Sequence, residues 1–256
     1  MIAGTLRIWW DAAREAVRTL GRTGWAFVAL LVLSALLGGV GAFSGRLGIA
    51  GGFLYGMAAA LVAGAYLSLL GVGVLHRRKV RLVDVKDAFG QHFWDVISVL
   101  FVFWVATLIL GLTRSDIVVT VAIFAAWIAF NPAPEVVYQG SSRSLALLVD
   151  AGRFVLDNWV EWYLPQVVLG AGLWLLAPHL SLQSHAALFG PFFGFVQAAQ
   201  ALGAAPGFLG GLVEALLLVG GVHVVMVFRG ELYRALAHSS RRTRTWRARF
   251  RPDGSP

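Results

Sequence analysis

Three ionisable residues lie inside or beside long apolar stretches, where a charge is expensive. Glu214 follows Gly211 by three residues in the last of these stretches. An ionised carboxylate costs roughly 2.5 to 3.5 kcal/mol or more at the centre of a bilayer. One interpretation of Glu214 is a site for a proton or a cation. The other, which the sequence favours, places it within about one turn of the outer interface, where its carboxylate reaches polar headgroups.

The other two residues are a histidine and a second glutamate. His223 lies nine residues after Glu214, on the opposite face of a helix at about 100° per residue, so the two cannot pair within one helix. We expect His223 to bond to a neighbouring helix. Glu135 follows Pro132 and Pro134, and breaks of this kind occur at transporter sites. A simple helix stop with an interfacial carboxylate is the alternative that the sequence favours.

Recognisable catalytic machinery is missing from the sequence. The chain has no cysteine, which excludes thiolate nucleophiles, disulfides and cysteine-ligated metals. It also has no phosphate-binding loop, no nucleophile elbow, no paired histidines at zinc spacing and no dinucleotide fingerprint. The sequence therefore predicts a protein that is not an enzyme and that binds no metal or cofactor.

The C-terminal segment combines arginines with aromatic residues. The residues expected to contact lipid headgroups there are Arg241, Arg242, Arg244, Trp246, Arg247 and Arg249. Such a segment suits docking on anionic lipid, at roughly 1 kcal/mol per basic residue, although a disordered end explains the composition equally well. The net charge of +8 could suggest nucleic acid, but the basic residues border apolar spans, so we expect no nucleic acid partner.

The composition predicts an all-α, polytopic membrane helix bundle. Hydrophobic residues make up 58% of the chain and charged residues 13%, with a mean hydropathy of +0.74. Ordinary soluble domains contain roughly 25% charged residues. About 20 apolar residues cross a bilayer, and six stretches are candidates: Trp25–Phe43, Ile49–Leu75, Val96–Leu112, Ile117–Ala133, Leu164–Ala177 and Phe208–Phe228. The apolar connection Pro178–Pro206 is expected to be interfacial or re-entrant.

The distribution of basic residues predicts the orientation. Nineteen of the twenty-one Lys and Arg residues lie in the N-terminal segment, in the connections after the second and fourth spans, or at the end of the chain from Arg229 onward. The other two, Arg46 and Arg114, lie in short turns on the opposite side. Because basic residues concentrate on the cytoplasmic side, both termini are expected in the cytoplasm of a bacterium, with the protein in its plasma membrane.

A polar pattern with steps of 3, 4 and 4 residues precedes each pair of spans. Its members are Asp11, Arg14, Arg18 and Arg22, then Asp84, Asp87, Gln91 and Asp95, then Asp150, Arg153, Asp157 and Glu161. The pattern predicts an amphipathic interfacial helix before each hairpin. It suggests repeats at 1–75, 76–133 and 140–229 within one domain, 1–240, followed by a basic tail, 241–256. Any amphipathic helix would give the same spacing.

The exit from the fourth span resembles a known family. The stretch from Pro132 to Val137, leading through Ser144 into the third interfacial helix, is similar to bacterial membrane domains related to the glycerophosphoryl diester phosphodiesterase membrane domain and its uncharacterised relatives. Asp150 stands where that family is expected to have a serine. No soluble phosphodiesterase domain is present in this sequence, so the resemblance implies architecture and no hydrolase activity.

Three functions are compatible with these patterns. The first is an accessory or scaffold subunit of an envelope membrane complex, in contact with membrane lipids and with a membrane-protein or ATPase partner. The second is a transporter or permease subunit for an apolar or lipid-like substrate, with Glu214 and Glu135 as coupling carboxylates. The third is a membrane-embedded enzyme acting on lipids, which would require isolated polar residues to converge in one cavity. The sequence favours the first.

Overall fold

The computed structural model describes residues 2–113, 115–176 and 208–237, which form nine helices and no strand. The helices are α1 (Ile2–Arg22), α2 (Gly24–Ser44), α3 (Gly48–Val74), α4 (Leu82–Ala88), α5 (Phe93–Gly111), α6 (Asp116–Ala129), α7 (Ala133–Gln139), α8 (Leu145–Leu176) and α9 (Phe208–Ala237). The predicted all-α helix bundle is confirmed.

Five segments of the described chain are long and apolar enough to cross a membrane. They are Gly24–Ser44, Gly48–Val74, Phe93–Gly111, Asp116–Gln139 and Leu216–Ala237. The protein is therefore a multi-pass membrane protein. The remaining predicted span, Leu164–Ala177, falls in the second half of α8, beyond non-helical backbone at Asn158. Only twelve described residues follow Leu164 in α8, or roughly 18 Å of helix, against about 30 Å of hydrocarbon.

Helix α3 lies at the centre of the bundle and contacts α2, α5, α7 and α9. Its second half is almost entirely buried, including Ala60, Ala63, Tyr66, Leu67, Leu70 and Val74. Small residues let neighbouring helices approach closely in a membrane, where burying apolar surface gives little drive for helix association. The alanines and glycines of α3 therefore suit the position with the most neighbours.

The hairpin of α5 and α6 lies at the periphery. Helix α6 has no buried side chain, and α5 buries only Asp95, Val96 and Val99. Large apolar side chains cover its exposed surface, among them Phe101, Trp104, Leu108, Val121 and Phe124. In water such a surface would promote aggregation, whereas in a bilayer it contacts lipid acyl chains with no penalty in free energy.

One end of the bundle carries α1, α4, α7, the start of α8 and the last turns of α9, and we call it the basic end. Three hydrogen bonds hold α1 there: Thr19 Oγ1 donates to Glu231 Oε1 (2.7 Å), Trp9 Nε1 donates to the Glu161 carbonyl (3.0 Å), and the Arg22 carbonyl accepts from the Val80 amide (2.9 Å). Helix α1 is thus tied to α9, α8 and the loop after α3.

The second interfacial segment is not the continuous helix that the spacing of Asp84 and Asp95 predicts. Helix α4 ends at Ala88, and Asp95 belongs to α5. Between them, Gly90 has a φ of +86°, in the left-handed region that glycine adopts without steric cost. The helix in this predicted interfacial segment is therefore only seven residues long.

Candidate functional site

Proline interrupts the helical hydrogen bonding between α6 and α7. Pro132 has no N–H, so the Ile128 carbonyl loses the hydrogen bond that it would accept from residue 132 in a continuous helix. The Ile128 carbonyl accepts instead from the Asn131 amide (3.2 Å) and from the Tyr163 hydroxyl of α8. Helix α7 then starts with Pro134 in its first turn, where a missing N–H does no harm.

Arg229 of α9 lies against the same break. Its Nη2 donates to the Asn131 carbonyl (2.6 Å) and to Glu135 Oε2 (2.8 Å). Both charged side chains have a relative exposure of 0%. A backbone carbonyl and a carboxylate from the break therefore converge on one guanidinium.

Trp162 of α8 completes this group, and we call Asn131, Glu135, Trp162 and Arg229 the Arg229 cluster. The indole Nε1 donates to Asn131 Oδ1 (2.9 Å), and the Arg229 guanidinium lies 5.4 Å from the centre of the indole ring. An arginine at this distance is attracted by the negative face of the ring. The cluster thus links the α6–α7 break, α8 and α9.

The cluster meets part of the conditions under which a buried ion pair is tolerated, because Arg229 has further partners whereas Glu135 Oε1 has no hydrogen bond among the described residues. Removing two charges from water costs several kcal/mol each, and their attraction offsets that cost only with good geometry and additional hydrogen bonds. The contacts of Arg229 with the Asn131 carbonyl and the Trp162 ring supply those additional interactions. The arrangement suits a permanent tie between helices.

A close approach beside the cluster depends on glycine. Gln139 Nε2 donates to the Gly230 carbonyl (2.9 Å) and to the Tyr138 hydroxyl oxygen (3.0 Å). A Cβ at Gly230 would collide with the Tyr138 hydroxyl and lie 3.3 Å from Val74 Cγ2. Only glycine lets α7 and α9 approach so closely here.

His223 of α9 lies in a second polar group, between the junction of α1 and α2 and helix α3. Its Nε2 lies 3.1 Å from Thr23 Oγ1, and its Nδ1 lies 3.0 Å from the Tyr66 hydroxyl. The Thr23 hydroxyl donates to the Thr19 carbonyl (3.0 Å), so it accepts from the imidazole. This assigns the proton to Nε2 and leaves Nδ1 to accept from Tyr66.

This assignment gives a prediction for Tyr66. Replacing Tyr66 with Phe removes the donor to His223 Nδ1 and should lower the free energy of unfolding by about 0.5 to 1.5 kcal/mol. The measurement is a denaturation series in mixed micelles. Tyr55→Phe in the same helix is the matched control, because the two ring nitrogens of His223 are bonded to Thr23 and Tyr66. An equal loss in both variants would contradict the assignment.

Two of the candidate residues from the sequence, Glu135 and His223, do not converge on one site. Glu135 and His223 make separate sets of bonds, to Arg229 and to Thr23 and Tyr66 respectively. Glu214 lies within α9, but its side chain is outside the described residues. The same holds for the connection Pro178–Pro206 and for Arg241, Arg242, Arg244, Trp246, Arg247 and Arg249.

Two placements correct expectations from the sequence. The charge count groups Arg229 with the basic residues that flank a span, whereas its side chain is fully buried. Glu135 is expected at the interface, whereas it too is fully buried. The sequence does carry a signal for Arg229, because it directly follows the apolar run Val224–Phe228 in the same helix.

Within the ranges 2–113, 115–176 and 208–237, no group of three or more His, Asp or Glu side chains is close enough to hold a metal ion. The Arg229 cluster and the His223 group are two of the polar groups that the described spans bury. Neither a protein-family model, nor a curated protein, nor a solved structure matches the chain, so its assignment to the multi-pass helical membrane proteins follows from its fold.

Proposed function

We propose that this chain is a non-catalytic accessory or scaffold subunit of an envelope membrane complex, located in a bacterial plasma membrane with both termini in the cytoplasm. One observation carries the proposal: the polar groups that the described spans bury at Glu135, His223 and Glu231 are each bonded to another helix. Such groups hold a bundle together. A catalytic or transport site needs at least one group that is accessible to a substrate.

The bonds of Glu231 illustrate this use of polar side chains. Glu231 accepts from Thr19 Oγ1 of α1 and pairs with Arg234 Nη2 (2.6 Å) one turn further along α9. Its relative exposure is 2%. Glu231 therefore fixes the interfacial helix on the last span.

The transport alternative depends on the broken span around Pro132 and Glu135. Broken helices bind substrates in transporters when their ends line a cavity. Here the carbonyls of Ile128 and Asn131 accept hydrogen bonds from Tyr163 and Arg229, and Glu135 has no exposed surface. This geometry favours a structural role for the break.

The outward surface also suits a subunit. The α5–α6 hairpin exposes apolar side chains such as Trp104 and Phe124 over most of its surface. Another membrane protein can contact this surface laterally, and only lipid has to be displaced when it binds.

The test is isolation of the protein from native membranes in a mild detergent, followed by quantitative mass spectrometry. We expect a membrane protein or ATPase to co-purify in a fixed stoichiometric ratio. Alanine substitutions at Trp104 and Phe124 should reduce its recovery, while Val32→Ala on α2, also exposed, should leave it unchanged.

Glu214 distinguishes the two main alternatives. A scaffold is expected to keep its partner when Glu214 is replaced by Gln. Substrate uptake into vesicles by the purified chain alone, abolished by Glu214→Gln while the protein stays folded, would overturn the proposal in favour of a transporter.

A further inference from the structure

Helix α1 presents three different stripes around its circumference. The inner stripe packs against the bundle and consists of Trp9, Ala12, Ala16 and Thr19. The hydrogen bonds of Trp9 to α8 and of Thr19 to α9 fix its rotation. The remaining two stripes therefore face fixed directions.

The second stripe is apolar and exposed. Leu6, Trp10 and Val17 have relative exposures of 53%, 65% and 70%. At about 100° per residue they fall within roughly 40° of one another, next to the inner stripe. Exposing these apolar side chains to water costs free energy, whereas contact with lipid acyl chains does not. Acyl chains are therefore the environment that suits this stripe.

The third stripe is cationic and adjoins the apolar one. It holds Arg7, Arg14, Arg18 and one carboxylate, Asp11. The side chains of Arg7 and Arg18 are 86% and 61% exposed. The Arg14 guanidinium lies 6.0 Å from the centre of the Trp10 ring, at the border between the two stripes.

The second carboxylate of the helix, Glu15, offsets only part of this charge, because it is shared between Arg18 of the stripe and Arg22. Its side chain is 17% exposed and accepts from Arg18 Nη1 and Arg22 Nη1, both at 3.1 Å. The exposed ion pair between Arg7 and Asp11, at 4.0 Å, is weak. The outward stripe is therefore net positive.

We propose that α1 is a rigidly mounted binding surface for anionic lipid headgroups. Around the helix, the inner stripe faces the bundle, the apolar stripe comes next, and the cationic stripe follows. At a membrane surface these three directions correspond to protein, acyl chains and headgroups. Leu6, Trp10 and Val17 insert among the acyl chains, while Arg7, Arg14 and Arg18 bind phosphate groups above them. The partner is a lipid leaflet, chosen by charge complementarity.

This inference goes beyond the proposed function and does not depend on it. A scaffold, a transporter or an enzyme could each use such a surface. The bilayer experiments below use the purified full chain in defined lipid, so a missing protein partner would leave their results unchanged.

The first experiment measures depth. Because the chain has no cysteine, single-cysteine variants accept one nitroxide label each. A label at Val17→Cys in bilayers is expected to collide more with oxygen than with a water-soluble nickel chelate, and a label at Asp11→Cys should show the reverse. Preferential collision with the nickel chelate at position 17 would overturn the proposal. So would a label there that is immobilised and shielded from both reagents, since a second copy of the chain would then cover the stripe.

The second experiment measures headgroup preference. The protein is reconstituted in phosphatidylcholine bilayers with spin-labelled phosphatidylglycerol, and the motionally restricted fraction gives the relative affinity. Replacing Arg7, Arg14 and Arg18 together by Gln is expected to lower the preference for the anionic lipid at least tenfold, since one surface arginine contributes roughly a factor of five.

Two single variants control the headgroup experiment. Asp11→Asn removes the negative charge of the stripe and is expected to raise the preference. Arg46→Gln lies in the turn between α2 and α3, at the end opposite α1, and is expected to leave it within a factor of two. An unchanged preference in the triple variant, or an equal fall with Arg46→Gln, would overturn the proposal.

Discussion

Replacing Arg229 with Met is expected to lower the free energy of unfolding by about 3 to 5 kcal/mol. The substitution leaves the Glu135 carboxylate buried without its cation and the Asn131 carbonyl without its donor. An uncompensated charge in a low-dielectric interior is among the most destabilising results of a single mutation. The measurement is unfolding in mixed micelles of increasing denaturing detergent, followed by tryptophan fluorescence.

The double variant Glu135→Leu with Arg229→Met is the matched control. Both charges are then gone, and apolar groups of similar size fill the space, an exchange that is often neutral in proteins. We expect the double variant to be clearly more stable than Arg229→Met alone. Equal stability of the two would show that the buried carboxylate is not the source of the loss.

The pair also matters for how the spans assemble. Arg229 and Glu135 are separated by 94 residues, so their contact forms only when the last span docks on the broken fourth one. The single variant should therefore impair late assembly, visible as protease sensitivity of α9, while α2 and α3 stay protected. This expectation assigns the cluster to folding rather than to chemistry.

The first two transmembrane helices were readily predictable from the sequence. Predicted limits of Trp25–Phe43 and Ile49–Leu75 compare with observed limits of Gly24–Ser44 and Gly48–Val74. In hydrocarbon, a helix is the only structure in which a single segment makes all of its own backbone hydrogen bonds. The length and apolarity of a segment therefore predict that it forms a transmembrane helix. The spacing of polar residues likewise predicted a helix in the N-terminal segment, which is observed as α1.

The partners of polar residues were not predictable in this way. Counting charges by loop assigns Arg229 to an interface, because a linear sequence does not reveal that Asn131, Glu135 and Trp162 surround it. Likewise, helical spacing joins Asp84 to Asp95, although Gly90 breaks the helix between them. The pairing of Glu135 with Arg229 across 94 residues depends on tertiary packing, and so does the positive φ of Gly90. The periodicity of a sequence carries no information about tertiary packing.

Adding one methyl group at Gly73 is expected to destabilise the protein by about 1 to 3 kcal/mol through overpacking. A Cβ there would collide with Thr23 Cγ2 and lie 3.6 Å from Thr19 Cγ2. Thr23 cannot rotate away without losing its hydrogen bonds to the Thr19 carbonyl and His223. The measurement for Gly73→Ala is the same denaturation series. Gly39→Ala, with nothing within 4 Å of its added Cβ, should be neutral or stabilising by up to about 1 kcal/mol.

Thr23→Ser tests the mechanism, because it deletes the colliding methyl group and keeps the hydroxyl that bonds His223. In a double-mutant cycle, the combination of Gly73→Ala with Thr23→Ser should be more stable than the sum of the single effects by at least about 1 kcal/mol. Additive effects would mean that the loss at Gly73 comes from elsewhere. A positive coupling would place the junction of α1 and α2 in direct contact with α3, which is where the interfacial helix must be held if its outer stripes are to keep their direction.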